Sequence, residues 1–200
     1  MRVILEYKDN AHIIIMSNQR IEWDEYFMSI AVLAACRSPC HRLHVGSVIV
    51  KDKRIVAMGY NGFLPGCKHE SHIRDGHEQA TVHSEINSIT DCAKRGISMN
   101  KSTIYITHYP CLNCFKALCA SGIQEIVYLD NYKNDPLVLK IANEVGVTIR
   151  QQFIKNTVSN NIYCSLSESS SLLDSSSLLE SSSLLESSSL SESISDRLSS

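Results

Sequence analysis

The chain has no apolar run approaching the ~18 residues that a membrane-spanning helix needs, and it has almost no net charge: 19 basic against 21 acidic side chains leave −2. The first absence excludes a helical membrane span. The second argues against a strongly basic nucleic-acid groove and against an acidic, solubilising protein. Met1 to Asn10 shows neither a charged-then-apolar pattern nor a small-residue cleavage site, so no secretion signal is expected. The expectation is a cytoplasmic (intracellular) protein with no nucleic-acid and no membrane partner. Its thiols should be reduced.

What is there divides in two. Residues 165–200 hold 19 Ser, 9 Leu and 6 acidic residues, 34 of 36 positions. With Arg197 as their one basic residue, they carry 1 − 6 = −5, which leaves +3 for the rest. That rest is enough for one core. The tail repeats Ser-Leu-Leu-acidic-Ser-Ser with period six: Leu172, Leu178, Leu184; Asp174, Glu180, Glu186, Glu192. Six residues turn a helix by about 600°, so no apolar stripe forms. The tail also lacks aromatics, and it is expected to be disordered. Its Ser-x-x-acidic spacing fits acidophilic kinase sites and also fits a helix capping box. Ser prefers caps and turns to helix interiors, which favours the first reading. A repeat expansion without a role is the alternative.

Along the rest, residues 1–21 are a hairpin or a loose arm. Phe27, Ile30, Ala31, Ala34 and Ala35 fall at helical spacing and predict a helix from Trp23 to about Cys36, stopped before Pro39. Residues 45–50 and 55–60 predict a hairpin around Lys51-Asp52-Lys53. Residues 61–82 read as a long loop, and a loop of that length is usually functional or disordered. Then come a helix over 84–95, a strand over 103–107, a helix from Pro110 to about Ser121, a strand over 126–129, a helix over 136–145 and a short strand over 147–149. This order predicts an α/β protein with a mixed sheet, and parallel pairings in its second half.

Eight Cys and eight His are many for such a chain, and in a reduced compartment a Cys/His cluster reads as metal-binding before disulfide. The strongest constellation is His83-Ser84-Glu85 followed, after 24 intervening residues, by Pro110-Cys111-Leu112-Asn113-Cys114. Cys111 and Cys114 lie three apart at a predicted helix start, so both thiols face one way. The helix N-terminus favours the thiolates that zinc binds. With His83 as a third ligand, the fourth zinc position is left to water, whose pKa falls to near 7. Glu85 is then placed to move protons for a hydrolytic deamination. The pattern His-x-Glu with Pro-Cys-x-x-Cys is the known signature of zinc deaminases. An isolated Cys-x-x-Cys would equally suit a structural zinc or a redox pair.

The sequence resembles deoxycytidylate (dCMP) deaminases, within the zinc-dependent cytidine/deoxycytidylate deaminase family. The likeness covers about residues 22–150 and rests on Trp23-Asp24-Glu25-Tyr26-Phe27-Met28, Val45-Gly46-Ser47-Val48-Ile49-Val50, Gly59-Tyr60-Asn61-Gly62, His77-Glu78-Gln79, His83-Ser84-Glu85 and Tyr109-Pro110-Cys111-Leu112-Asn113-Cys114. Ser84 departs from the family's commoner Ala.

The resemblance implies a cytidine-deaminase-like three-layer αβα sandwich over residues 22–164. It implies conversion of dCMP and water to dUMP and ammonia, which supplies thymidylate synthesis. Catalytic zinc would sit on His83, Cys111 and Cys114, with Glu85 catalytic. Asn61, Ser84 and Tyr109 would contact substrate. A second, structural zinc would draw on Cys40, Cys67, His69, His72 and His77. The resemblance also implies a homo-oligomer, most often a hexamer, with dCTP and dTTP as effectors at Gly59, Tyr60, Asn61 and Gly62. The competing readings are another nucleotide or nucleobase deaminase of the same fold, such as a riboflavin-pathway enzyme, and a non-catalytic zinc-binding module.

Overall fold

The computed structural model describes residues 20–74 and 77–154. Residues 1–19 of the arm or hairpin expected at 1–21, the domain end at 164, the tail at 165–200 and the side chain of His77 lie outside the described residues. Among those described, no helix is long and apolar enough to cross a membrane.

The element order is α1 (Trp23–Ala35), β1 (Gly46–Lys51), β2 (Arg54–Tyr60), β3 (Gly62–Phe63), β4 (Ile73–Arg74), β5 (His77–Glu78), β6 (Thr81–Val82), α2 (Ser84–Arg95), β7 (Ser102–His108), α3 (Leu112–Ala120), β8 (Ile123–Asp130), α4 (Pro136–Val145) and β9 (Thr148–Gln151). Five strands form the central sheet in the order β2-β1-β7-β8-β9. The hairpin β1–β2 and the pair β1–β7 are antiparallel; β7, β8 and β9 run parallel. The mixed sheet expected from the element order is therefore observed, and its parallel half is the expected one.

Alternation along the strands sorts the core into two layers. Val48, Val50, Tyr105, Val127 and Leu129 face α1, where they meet Phe27, Met28, Ala31 and Val32. Ile49, Ile104, Ile106 and Ile126 face the other way, toward Cys92 of α2, Phe115 and Leu118 of α3, and Val138 and Ala142 of α4. A sheet covered on both faces makes the three-layer αβα sandwich that the sequence led us to expect.

Two close approaches fix the helices that matter. A Cβ on Gly46 would lie 2.1 Å from the Ala31 carbonyl, so α1 sits directly on the start of β1. A Cβ on Gly59 would lie 2.2 Å from the Ser84 carbonyl and 2.5 Å from Ser88 Oγ. The buried face of α2 is built of small residues, with Ser84, Ser88 and Cys92 at its centre. That face lets the helix settle onto the sheet, where the Ser47 and Ser88 hydroxyls share a 2.8 Å hydrogen bond. The approach brings the first turn of α2 down to the sheet's edge.

Some boundaries differ from the sequence expectation. The third helix begins at Leu112 with Cys111 as its N-cap, not at Pro110. The strand expected at 126–129 extends over Ile123–Asp130, because parallel partners on both sides supply hydrogen bonds beyond its apolar stretch. The long loop is not structureless: β3 pairs with β6 and β4 with β5. Two-residue ladders have no periodicity to read. Glu78 ties this loop together by accepting from the Ser71 hydroxyl and from the backbone N–H groups of His72 (3.0 Å) and Ala80 (2.8 Å).

Candidate metal centre and active site

Two helix N-termini converge beside the carboxyl ends of the parallel strands. His83 is the N-cap of α2, with extended φ and ψ of −63° and 150°. Cys111 is the N-cap of α3, at −67° and 159°. The extended caps decide the geometry. Glu85 lies two residues past His83, which mid-helix would separate the two by about 200°; with His83 outside the helical turn, both side chains reach the same cavity.

His83 Nδ1 lies 3.3 Å from Cys114 Sγ and 3.7 Å from Cys111 Sγ. All three ligand atoms lie within 4.8 Å of one another. Tetrahedral zinc with ordinary Zn–N and Zn–S bonds needs N···S separations of about 3.6 Å. The donor set, one imidazole nitrogen and two sulfurs, therefore fits zinc in kind and in spacing. The Cys111 thiol is held down to about 4, chiefly by the hydrogen bond from the Cys114 thiol and also by the His83 ring. The same contact, with burial, pushes Cys114 up. His83 is raised, first by its hydrogen bond with Cys111 and then, against the opposing effect of burial, by the Glu85 charge.

Glu85 is 4% exposed, and burial raises its carboxyl above the ordinary range. Its Oε2 accepts from the Ser84 hydroxyl at 2.9 Å. These groups line a cavity of about 340 Å³, large enough for a nucleotide's base and sugar. Asn61, also on the wall, is buried and pinned: its Oδ1 accepts from Val45 N–H at 2.8 Å and its Nδ2 donates to the Leu43 carbonyl at 2.7 Å. These contacts leave one Nδ2 hydrogen over. Tyr109 lines the wall with its ring edge-on to Tyr128, centroids 5.0 Å apart. Its buried hydroxyl has no partner among the described residues.

The other candidates are dispersed. Cys40 is buried against the same cavity. Cys67, His69 and His72 are exposed, and His69 stacks on Phe63 at 4.9 Å. Among the described residues, these four form no group of three potential ligands. Gly59 is taken up by packing against α2, and Gly62 is buried beside the Tyr60 ring. The sequence reading passed over Arg42, Tyr132 and Lys133, which border the cavity. Arg42 Nη2 donates to Tyr132 Oη at 2.6 Å. His108, on the wall with its ring edge-on to Tyr132 at 5.9 Å, is lowered to about 4 by burial, so at neutral pH it adds no charge. A signal was present: residues 131–135 follow a parallel strand's carboxyl end, where open α/β sheets place ligands.

A mixed sheet between helices, with an N,S,S donor set at two helix N-termini and a shielded carboxyl beside it, defines the zinc-dependent deaminases as a class. The sequence model of the cytidine and deoxycytidylate deaminase zinc-binding region matches residues 21–130, and the chain belongs to that family. It is 42% identical over 137 residues to ComE operon protein 2 of Bacillus subtilis (strain 168), covering 66% of this chain and 72% of that protein. It is 36% identical over 142 residues to the deoxycytidylate deaminase of Saccharomyces cerevisiae, covering 66% of this chain but 45% of the yeast protein. The crystal structure of dCMP deaminase from the cyanophage S-TIM5 in complex with dCMP and dUMP superposes with a TM-score of 0.60 at 28% identity, over 67% of this chain and 99% of that one.

Proposed function

We infer that the chain is a zinc-dependent deoxycytidylate deaminase, converting dCMP and water to dUMP and ammonia and so supplying thymidylate synthesis. The observation that carries this reading is the meeting of His83 Nδ1 with the Cys111 and Cys114 sulfurs at the cavity that holds Glu85.

His83, Cys111 and Cys114 would hold the zinc. When bound, zinc acts as a Lewis acid that lowers the pKa of water to about 7. The chain's own residues do the rest. Glu85, shielded from solvent, takes a proton from the attacking water, gives it to the pyrimidine ring nitrogen, and later protonates the leaving amine. Its raised affinity for protons suits a group that must carry one between steps. The Ser84 hydroxyl fixes the orientation of the Glu85 carboxyl, and Asn61 and Tyr109 shape the wall for sugar and base.

Arg42 and Lys133 at the cavity's border supply positive charge for a 5′-phosphate, which favours a nucleotide over a free nucleoside. Turnover on dCMP and on deoxycytidine tests this reading. The Arg42→Met variant should lose roughly 10–100-fold in kcat/KM on dCMP, the value of one charge-assisted hydrogen bond, and change little on deoxycytidine. Equal wild-type turnover of both substrates would move the activity to free nucleosides. Assembly into hexamers and control by dCTP and dTTP through residues 59–62 belong to the same reading. Light scattering and velocity curves with each triphosphate test them.

A further inference from the structure

On the α1 side of the sheet, far along the chain from the zinc ligands, lies a second groove of about 390 Å³. Arg20, Lys53 and Arg54 line it together with Trp23, Tyr26 and Ile55. The Arg20 guanidinium lies 5.5 Å and the Lys53 ammonium 5.6 Å from the Trp23 ring centroid. Among the described residues none of the three cations forms an ion pair, although Glu22 and Asp52 are chain neighbours. Trp23, Tyr26 and Ile55 are 39%, 41% and 37% exposed. The surface is thus both cationic and apolar, and the reaction proposed above uses none of it.

We propose that this groove is the docking site of the chain's own acidic tail, residues 165–200, through its Leu-Leu-acidic repeat. The chemistry matches unit by unit. Leu172-Leu173-Asp174, Leu178-Leu179-Glu180 and Leu184-Leu185-Glu186 each set two apolar side chains beside one carboxylate. The groove sets aromatic and aliphatic surface beside guanidinium and ammonium groups. The tail carries −5, whereas the other undescribed terminus, residues 1–19, balances Arg2 and Lys8 against Glu6 and Asp9. Charge complementarity therefore selects the tail.

Reach permits it as well. Ile154, where the described chain ends, is buried in the same cluster as Phe27, and Phe27 stacks on Trp23 with centroids 5.4 Å apart. The eleven steps from residue 154 to 165 span up to roughly 36 Å when extended. A tether that short holds the tail at a local concentration of order millimolar, so weak contacts suffice. Repetition lets several equivalent units exchange on one groove.

Trp23 is the chain's one tryptophan, so acrylamide quenching reads this surface directly. The full chain is compared with a full-length variant carrying Asp174→Asn, Glu180→Gln and Glu186→Gln, and with Arg54→Gln. At low salt the unaltered chain should show a quenching constant roughly twofold lower than the tail variant, in proportion to the docked fraction. About 1 M salt should erase the gap, since screening then acts within about 3 Å. Arg54→Gln should reduce it. Equal quenching of unaltered chain and tail variant at low salt overturns the proposal. Protection that grows with protein concentration also overturns it, by assigning the groove to the tail of another copy.

Discussion

Replacing Glu85 with Gln separates proton transfer from metal binding. The substitution keeps size and shape, and Gln can still accept from the Ser84 hydroxyl that now bonds Oε2 at 2.9 Å. Positioned acid–base groups contribute typically 10²–10⁴-fold. The structure places this one at the upper end, because nothing nearby can replace it. Two other carboxylates border the cavity, Glu78 and Asp135. Glu78 is bound by the Ser71 hydroxyl and the backbone of His72 and Ala80, and Asp135 caps α4 by accepting from Leu137 N–H at 2.9 Å. A loss of about 10⁴ in kcat, or about 5 kcal/mol on the barrier, is expected. Zinc content should match the unaltered chain, because the proposed ligand atoms are those of His83, Cys111 and Cys114. The assay is ammonia release from dCMP, alongside elemental analysis of the same preparation. Activity within tenfold of the original, with zinc retained, would refute the role of Glu85. Loss of zinc would refute the three-ligand set.

Three further outcomes follow from the same geometry. Cys114→Ala removes a buried ligand and should abolish both zinc and turnover, read by elemental analysis. Gly59→Ala puts a methyl group 2.2 Å from the Ser84 carbonyl; overpacking of this kind costs about 1–3 kcal/mol. It also lifts the turn carrying His83 and Glu85, so thermal stability and kcat should fall together. His108, lowered to about 4 by burial against an ordinary 6.5, is a base that the unfolded chain protonates first. It should contribute full stability above pH 6.5 and lose it progressively toward pH 4, by up to about 3 kcal/mol. Denaturant titrations across that window should show the slope, and His108→Gln should flatten it.

The candidate zinc ligands and their neighbouring carboxylate are local features, which is why they could be read in one dimension. His83-Ser84-Glu85 and Cys111-x-x-Cys114 each keep their spacing whatever the rest of the chain does. The helices over 23–35, 84–95 and 136–145 were legible for a related reason: each has a stop signal at its end and an apolar or capping pattern of its own. The hairpin of β1 and β2 was equally local, closed by Asp52 and Lys53 at φ values of 50° and 58°.

Non-local pairing left no such mark. The two small ladders within residues 62–82 are too short for periodicity, and β8 extends past its apolar stretch because its neighbours supply hydrogen bonds. The cavity's cationic border was hidden for the same reason. Arg42 and Tyr132 are 90 positions apart, and nothing in either segment names the other. What the sequence alone determined was the donor set, since ligand chemistry belongs to residue type and short spacing. What only the tertiary structure decided was the direction those donors face and the residues that wall them in. Both depend on how closely α2 approaches the sheet at Gly59 and on which strand ends lie side by side, quantities set by packing between distant segments.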